Sequence, residues 1–114
     1  MEPSIVRQAA DSYEQVATSG GAGKLADLFA EDAVFHSPDG AITRGRAAIR
    51  TFYDARLVAG QPLTWHFGRV VEEGNQCWAE LENDEGRLVA TDHFTVGDDG
   101  LITRMAVFMR PQPA

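Results

Sequence analysis

Four extended segments separated by tight turns fill the second half of the chain. Apolar residues recur at short intervals within the segments, and each boundary carries Gly, Asn or Asp, which favour short hairpin connections. The segments are 63–72, 76–83, 87–96 and 101–109. Consecutive strands with such short connections pair with their neighbours, so the sequence predicts an antiparallel meander.

The first half of the chain has a helical pattern instead. Apolar residues repeat at helical spacing over 4–18 and 46–58, with a short stripe at 25–29 between them. The paired glycines 20–21 are predicted to end the first helix, and 33–37 is predicted to be a brief strand. Helices followed by a meander are typical of the α+β class, in which three helices would cover one face of the sheet.

The net charge of the chain limits the kinds of partner that it can bind. The 114 residues include 10 Lys and Arg against 17 Asp and Glu, for a net charge of −7. A nucleic-acid surface requires a basic face, and an anionic membrane would repel this chain, so we expect a small neutral or apolar molecule. The length indicates one domain, 1–114. The N-terminus has no apolar signal core and no apolar run suits a bilayer, which favours a cytoplasmic protein.

Neither a disulfide nor a metal site is indicated. Cys77 is the only cysteine and is interpreted as a packing residue. The histidines at 36, 66 and 93 show no metal-ligand spacing. Nucleotide-binding motifs are absent from the sequence, so no cofactor is expected.

The last extended segment is apolar on both of its alternating rows. Helices can cover one face only, which leaves an apolar row for a second subunit. This pattern predicts a homodimer with Met105 or Val107 near the centre of its interface. The alternative is a central strand with some exposed apolar surface.

Asp92 and Tyr13 are the residues most suggestive of chemistry. Asp92 shares a strand face with Leu88, Ala90, Phe94 and Val96. An ionised carboxylate there would be costly, so we expect it to be protonated, solvated through a cavity or paired, unless this face is the more exposed one. Tyr13 lies on the apolar stripe of the first helix, where it is either a core residue or a second donor. Two such donors in one cavity would stabilise an enolate oxygen.

Three segments carry a resemblance to a known family. They are LADLFAEDAVFHSPDG, GRAAIRTFY and TDHFTVGDDGLITRMAVF. The chain resembles the nuclear transport factor 2-like superfamily, in particular its SnoaL-like and ketosteroid-isomerase-like members. The resemblance implies a cone in which three helices pack on a strongly curved antiparallel sheet around an apolar pocket. It also implies that Tyr13 and Asp92, at the matching positions, form an oxyanion hole with a neutral Asp92.

The resemblance fails at the position of the general base. The family has an aspartate directly before a proline at the end of the first strand, whereas here Ser37 precedes Pro38. A serine hydroxyl does not accept a proton from a carbon acid at neutral pH. Asp39 and His36 are the replacement candidates, although His36 is expected to point to the opposite face.

Strand alternation suggests a further departure, at Arg104. It places Arg104 in one row with Ile102, Ala106 and Phe108, which the resemblance assigns to the pocket, where Arg104 could pair with an ionised Asp92. The predicted ligand contacts are Ser37, Phe52, Tyr53, Trp65, Trp78, Phe94, Arg104 and Phe108.

Three functions remain open from the sequence. The first is proton transfer next to the carbonyl of a hydrophobic compound such as a steroid, as in ketosteroid isomerases. The second is binding of a hydrophobic ligand without turnover, which the serine at position 37 favours. The third is a SnoaL-like cyclase, lyase or hydrolase that uses Asp92 and Arg104.

Overall fold

The first helix, α1, extends over Ile5–Thr18 in a computed structural model that describes residues 3–19, 22–56 and 64–111. It begins at Ser4, whose side chain accepts a hydrogen bond from the backbone N–H of Arg7. Its buried stripe is the predicted one: Val6, Ala9, Ala10, Tyr13 and Ala17. The glycines predicted to end this helix lie outside the described residues.

Two further helices complete the set. Helix α2 covers Ala22–Ala26 and helix α3 covers Arg46–Arg56, and the predicted extension of α3 to position 58 lies outside the described residues. Phe29 was predicted on the stripe of the second helix, but it is the first residue of a strand. Its backbone is in register with Ile102 of the last strand, so sheet pairing overrides the local helical spacing.

The six strands form a single mixed sheet. They are β1 (Phe29–His36), β2 (Ile42–Arg44), β3 (His66–Glu73), β4 (Gln76–Glu82), β5 (Leu88–Val96) and β6 (Ile102–Met109). Their order in the sheet is β2-β1-β6-β5-β4-β3. The meander of β3 to β6 and the α+β class are confirmed. Two features were not predicted: the short strand β2, and the parallel pairing of β1 with β6.

A β-bulge in β6 determines which side chains face the helices. Thr95 pairs with Arg104 and the next residue, Val96, pairs with Ile102, so β6 contains one extra residue, Thr103. An extra residue in a strand reverses the faces of the sheet to which the side chains beyond it point. Ile102 is therefore buried on the inner face, whereas Arg104 lies on the outer face.

The bulge also corrects the predicted rows of β6. Asp92 is in register with Val107 and Phe94 with Met105, so Met105 and Val107 face inward. Met105 is completely buried in the core. The prediction that Met105 or Val107 lies at the centre of a subunit interface is wrong, because the helical side of the sheet already covers these residues.

The core lies between α1, α3 and the inner sheet face. Its largest fully buried side chains include Phe29, Ile49, Phe94 and Ile102. Within the described ranges, none of the helices is long and apolar enough to cross a membrane.

Candidate functional site

An apolar cavity of about 290 Å³ lies between the helices and the inner sheet face. It is lined by Tyr13, Phe35, Pro38, Phe52, Tyr53, Arg56, Trp65, Leu81, Val89, Ala90, Asp92, Val107 and Met109. Larger grooves of about 570 and 600 Å³ lie on the surface, near Arg87 and Arg46, but no buried titratable group lines either of them. The apolar cavity is therefore the candidate site.

Asp92 provides the carboxyl group of this cavity. It is 2% exposed, at the middle of β5, and no described residue forms a hydrogen bond or ion pair with its side chain. Burial raises the pKa of Asp92 to about 8, because the surrounding apolar side chains disfavour the charged form. The carboxyl group is therefore mainly protonated at neutral pH and can donate a hydrogen bond.

Two tyrosines line the same cavity as this carboxyl group. The hydroxyl oxygens of Tyr13, from α1, and Tyr53, from α3, are 2.7 Å apart. Burial raises the pKa of both phenols, and the nearby Asp92 raises both further. Both hydroxyls therefore remain protonated. Tyr53 also directs its hydroxyl at the sulfur of Met105, 3.9 Å away.

Aromatic rings fix the position of Tyr13. Its ring stacks on Trp65 and Phe67 at centroid distances of 6.1 and 6.5 Å. The edge of Phe94 meets it at 5.2 Å. Packing of this kind restricts the ring to one orientation, which holds the hydroxyl in place for a ligand.

The predicted base candidates do not reach the cavity. Asp39 is exposed in the turn after β1, where its carboxylate accepts a hydrogen bond from the backbone N–H of Ala41. His36 is in register with Ala106 of the outer face. Ser37, directly after β1, is buried and its hydroxyl has no hydrogen-bond partner. It does not line the cavity, although the next residue, Pro38, does.

Three of the predicted ligand contacts lie on the outer face. Trp78 is 42% and Phe108 60% exposed. Arg104 donates a hydrogen bond to Nδ1 of His93, at 3.0 Å, and the ring of His93 lies against Trp78. The prediction that Arg104 pairs with Asp92 is wrong, because the bulge in β6 separates the two by the thickness of the sheet. Phe108 is on the outer face because it is in register with Thr91, and Trp78 is there because it is in register with His93.

The remaining predicted contacts are on the inner side. Phe52, Tyr53 and Trp65 line the cavity, and Phe94 is completely buried beneath it. Sequence reasoning missed the pairing of Tyr53 with Tyr13, although the requirement that a buried phenol find a partner was a usable signal. It also missed Arg56, whose guanidinium lies 3.8 Å from the ring centroid of Phe52.

No metal centre is evident among the described residues, where no three His, Cys, Asp or Glu side chains converge. Cys77 is buried, and burial raises the pKa of its thiol to about 11. The chemically active groups of the cavity are therefore hydrogen-bond donors: one carboxyl, two phenols and one guanidinium. The part of the lining that the structure describes contains no second carboxylate and no imidazole.

Comparison with known proteins places the chain in a family. The model of the SnoaL-like domain matches residues 9–105, and the chain belongs to this family. The steroid Δ-isomerase of Nocardioides simplex is 31% identical, over 93% of this chain and 90% of the isomerase.

Solved structures share the fold. A Mycobacterium tuberculosis protein in complex with estradiol-17β-hemisuccinate matches with a TM-score of 0.75 and 22% identity, over 95% of both chains. An epoxide hydrolase/cyclase-like enzyme with a role in pyran ring formation in the polyether salinomycin matches with a TM-score of 0.77 and 21% identity, over 92% of this chain and 90% of that enzyme.

The buried carboxyl predicts how stability depends on pH. Folding raises the pKa of Asp92 from its ordinary value of 3.8 to about 8, so between these values the folded chain holds a proton that the unfolded chain has released. The contribution of Asp92 to the free energy of unfolding is greatest below about pH 4 and falls by up to about 1.4 kcal/mol per pH unit toward pH 8.

Urea unfolding of the wild type and of Asp92→Asn, from about pH 5 to pH 8, measures this contribution. Both proteins contain the same histidines, so the effect of histidine titration on stability is the same in both. This includes His93, whose pKa is lowered by burial and by Arg104. We expect the wild type to lose stability relative to the variant as the pH rises. A difference between the two proteins that does not change with pH would contradict a protonated Asp92.

Proposed function

We propose that this protein binds a hydrophobic carbonyl compound and stabilises its enol or enolate form. The observation that carries the proposal is one apolar cavity lined by a buried, protonated Asp92 and by Tyr13 and Tyr53, whose hydroxyls are hydrogen-bonded to each other. A carbonyl oxygen only accepts hydrogen bonds, so it suits a site whose polar groups are donors. Negative charge that develops on this oxygen is stabilised more strongly in an apolar cavity than in water.

The hydrogen bond between the two hydroxyls determines which of them can donate to the ligand. Each phenol has one proton, so a Tyr13 that donates to a ligand must accept from Tyr53, and Tyr53 must then turn away from the sulfur of Met105. This chain of donors polarises the Tyr13 hydroxyl and strengthens its hydrogen bond to the ligand. Tyr53 is thus a positioning residue, and Tyr13 and Asp92 contact the ligand oxygen.

The relatives support the ligand class. The related protein from Nocardioides simplex is a steroid Δ-isomerase, and a protein of the same fold from Mycobacterium tuberculosis was solved with a steroid ester. A rigid ring system that ends in an oxygen atom fits an aromatic-walled cavity whose donors lie at its buried end. We therefore place the ligand among steroid-like ring ketones.

Turnover requires a group that the described cavity lacks. In isomerisation, a base removes the proton next to the carbonyl, the electron pair moves to the oxygen, and a proton returns at the far end of the conjugated system. Ser37 stands where the related isomerases have an aspartate, and its hydroxyl is too weak a base. The proposal therefore includes a slow or absent isomerisation in the wild type.

One observation favours a second function. A carboxyl group with a pKa of about 8 is well matched to proton transfer at neutral pH, so Asp92 alone could act as the general acid of a cyclase or hydrolase. The enzyme with a role in pyran ring formation shares this fold. Arg104 takes no part in such a reaction, because it lies on the outer face.

Binding of testosterone, a conjugated ring ketone, tests the donor role of Asp92. The amide of Asp92→Asn still donates a hydrogen bond, so this variant should bind within a few-fold of the wild type, whereas Asp92→Ala should bind about tenfold more weakly. The fluorescence of Trp65, which lines the cavity, provides the signal. The matched control is Asp39→Asn, which changes an exposed carboxylate in a turn.

The pH dependence of testosterone binding provides a second test of the donor role of Asp92. Above about pH 8 the ionised Asp92 cannot donate, so wild-type affinity should fall by up to about tenfold per pH unit. The affinity of Asp92→Asn should stay constant. An affinity of the wild type that does not change between pH 7 and pH 10 would rule out the donor role.

Restoring a carboxylate at position 37 tests the missing base. Ser37→Asp should increase isomerisation of a β,γ-unsaturated ring ketone by roughly 10²–10⁴-fold, because a positioned base contributes this much. The absorbance of the conjugated product measures the rate. Ser37→Asn is the matched control for shape. Equal rates in the two variants, if both fold and bind testosterone, would exclude the proposed isomerase geometry.

We also propose that the protein is a homodimer joined through the outer sheet face. In the described residues no helix covers this face, and it exposes Trp78, Phe108 and Val71. Glu80 and Arg104 carry opposite charges on this face, and a two-fold axis can pair such charges between copies. The interface therefore centres on β4 and β6, on the side opposite to the cavity.

Light scattering at micromolar concentration tests this assembly. Phe108→Asp should convert a wild-type dimer into a monomer, because an unpaired carboxylate would be desolvated in the interface. Ile5→Asp, which changes an equally exposed side chain on α1, should leave the dimer intact. A monomeric wild type would disprove the proposed assembly.

A further inference from the structure

One cation lies at the opening of the cavity that holds Asp92 and the two tyrosines. Arg56 is the last residue of α3; it is exposed, and it lines the cavity. Its guanidinium carbon is 3.8 Å from the ring centroid of Phe52, one helical turn earlier. This spacing places both side chains on one side of α3, so the ring holds the planar guanidinium beside the opening.

Arg56 has no carboxylate partner among the described residues. The ion pairs there involve Arg7, Arg87 and His66. Asp54 is two positions away on the same helix, a spacing at which side chains do not face each other. The segment that follows, 57–63, contains no Asp or Glu in its sequence. In a chain with 17 acidic residues, this arginine thus faces a cavity instead of an acid.

The guanidinium lies on the exposed side of the cavity and the carboxyl group on its buried side. Asp92 is 2% exposed and forms no ion pair among the described residues, whereas Arg56 is exposed. A volume of about 290 Å³ is at the small end for ligand pockets, which indicates that a ring compound anchored at Asp92 extends toward the opening.

We propose that the ligand carries a carboxylate or a similar oxyanion at the end opposite to its carbonyl, and that Arg56 binds this anion. The inference rests on the proposed function, because it requires the carbonyl to be anchored at Asp92 and Tyr13. A guanidinium held flat by Phe52 presents its N–H edge as a fork, which matches the two oxygens of a carboxylate. The substrate class is therefore a ring ketone with an acidic tail.

Two probes that differ only in charge test this assignment. Testosterone 17β-hemisuccinate has a terminal carboxylate, and its methyl ester has the same tail without the charge. At low salt the wild type should bind the hemisuccinate about tenfold more tightly than the ester. Added salt should reduce this preference, because the guanidinium is at the surface.

Variants on α3 assign the preference to one residue. Arg56→Gln should bind the hemisuccinate no more tightly than the ester, and Arg56→Lys should retain part of the preference. Arg50→Gln is the matched control: it removes the same charge from the same helix, but Arg50 does not line the cavity and lies near Gly23. It should keep the full preference.

The outcomes separate the two proposals. Equal affinity of the wild type for the hemisuccinate and its methyl ester would overturn the role of Arg56. A preference for the hemisuccinate that persists in Arg56→Gln would do the same. In either case, binding of testosterone itself would leave the proposed function in place. Absence of testosterone binding to the wild type would overturn the proposed function, and the role of Arg56 with it.

Discussion

The cost of burying one carboxyl group is the constraint on which this site depends. An ionised Asp92 in an apolar wall, with no ion-pair partner among the described residues, would be strongly destabilising, so the group retains its proton. A protonated carboxyl is a donor, and the two neighbouring phenols are held in the same state by burial. The packing of α1 and α3 against the sheet buries these three groups and thereby keeps them protonated. Stability and chemistry are linked through one proton.

A single extra residue in β6 determines which side chains of this strand face the cavity and which lie on the outer face. Because Thr103 forms a bulge, the inner face receives Met105 and Val107, and the outer face receives Arg104. The bulge thereby keeps the Arg104 guanidinium away from Asp92, whose pKa a neighbouring cation would lower. The same bulge places Phe108 on the outer face, where we propose the second subunit. Cavity and interface therefore lie on opposite sides of the same strands.

The sequence predicted the parts of the structure that depend on local patterns. The meander and the helix bearing Tyr13 follow from spacing and turn chemistry. Spacing alone left the exposure of Asp92 open, and the family resemblance implied its inward position; the structure places both residues in one cavity. The rows of β6 could not be predicted, because strict alternation assumes an unbroken strand and a bulge has no clear sequence signal. The hydroxyl pair of Tyr13 and Tyr53 joins residues 40 positions apart, so it depends on helix packing that periodicity does not describe. The position of Arg56 at the opening likewise depends on where α3 ends relative to the sheet.

Titration of the Asp92 carboxyl by ¹³C NMR tests the central claim most directly. Comparison of the wild type with Asp92→Asn identifies the resonance, and the chemical shift is then followed from about pH 3 to pH 10. The account predicts that this carboxyl remains protonated through neutral pH and titrates near pH 8. A titration at or below the ordinary value of 3.8 would show an ionised carboxylate and contradict the account.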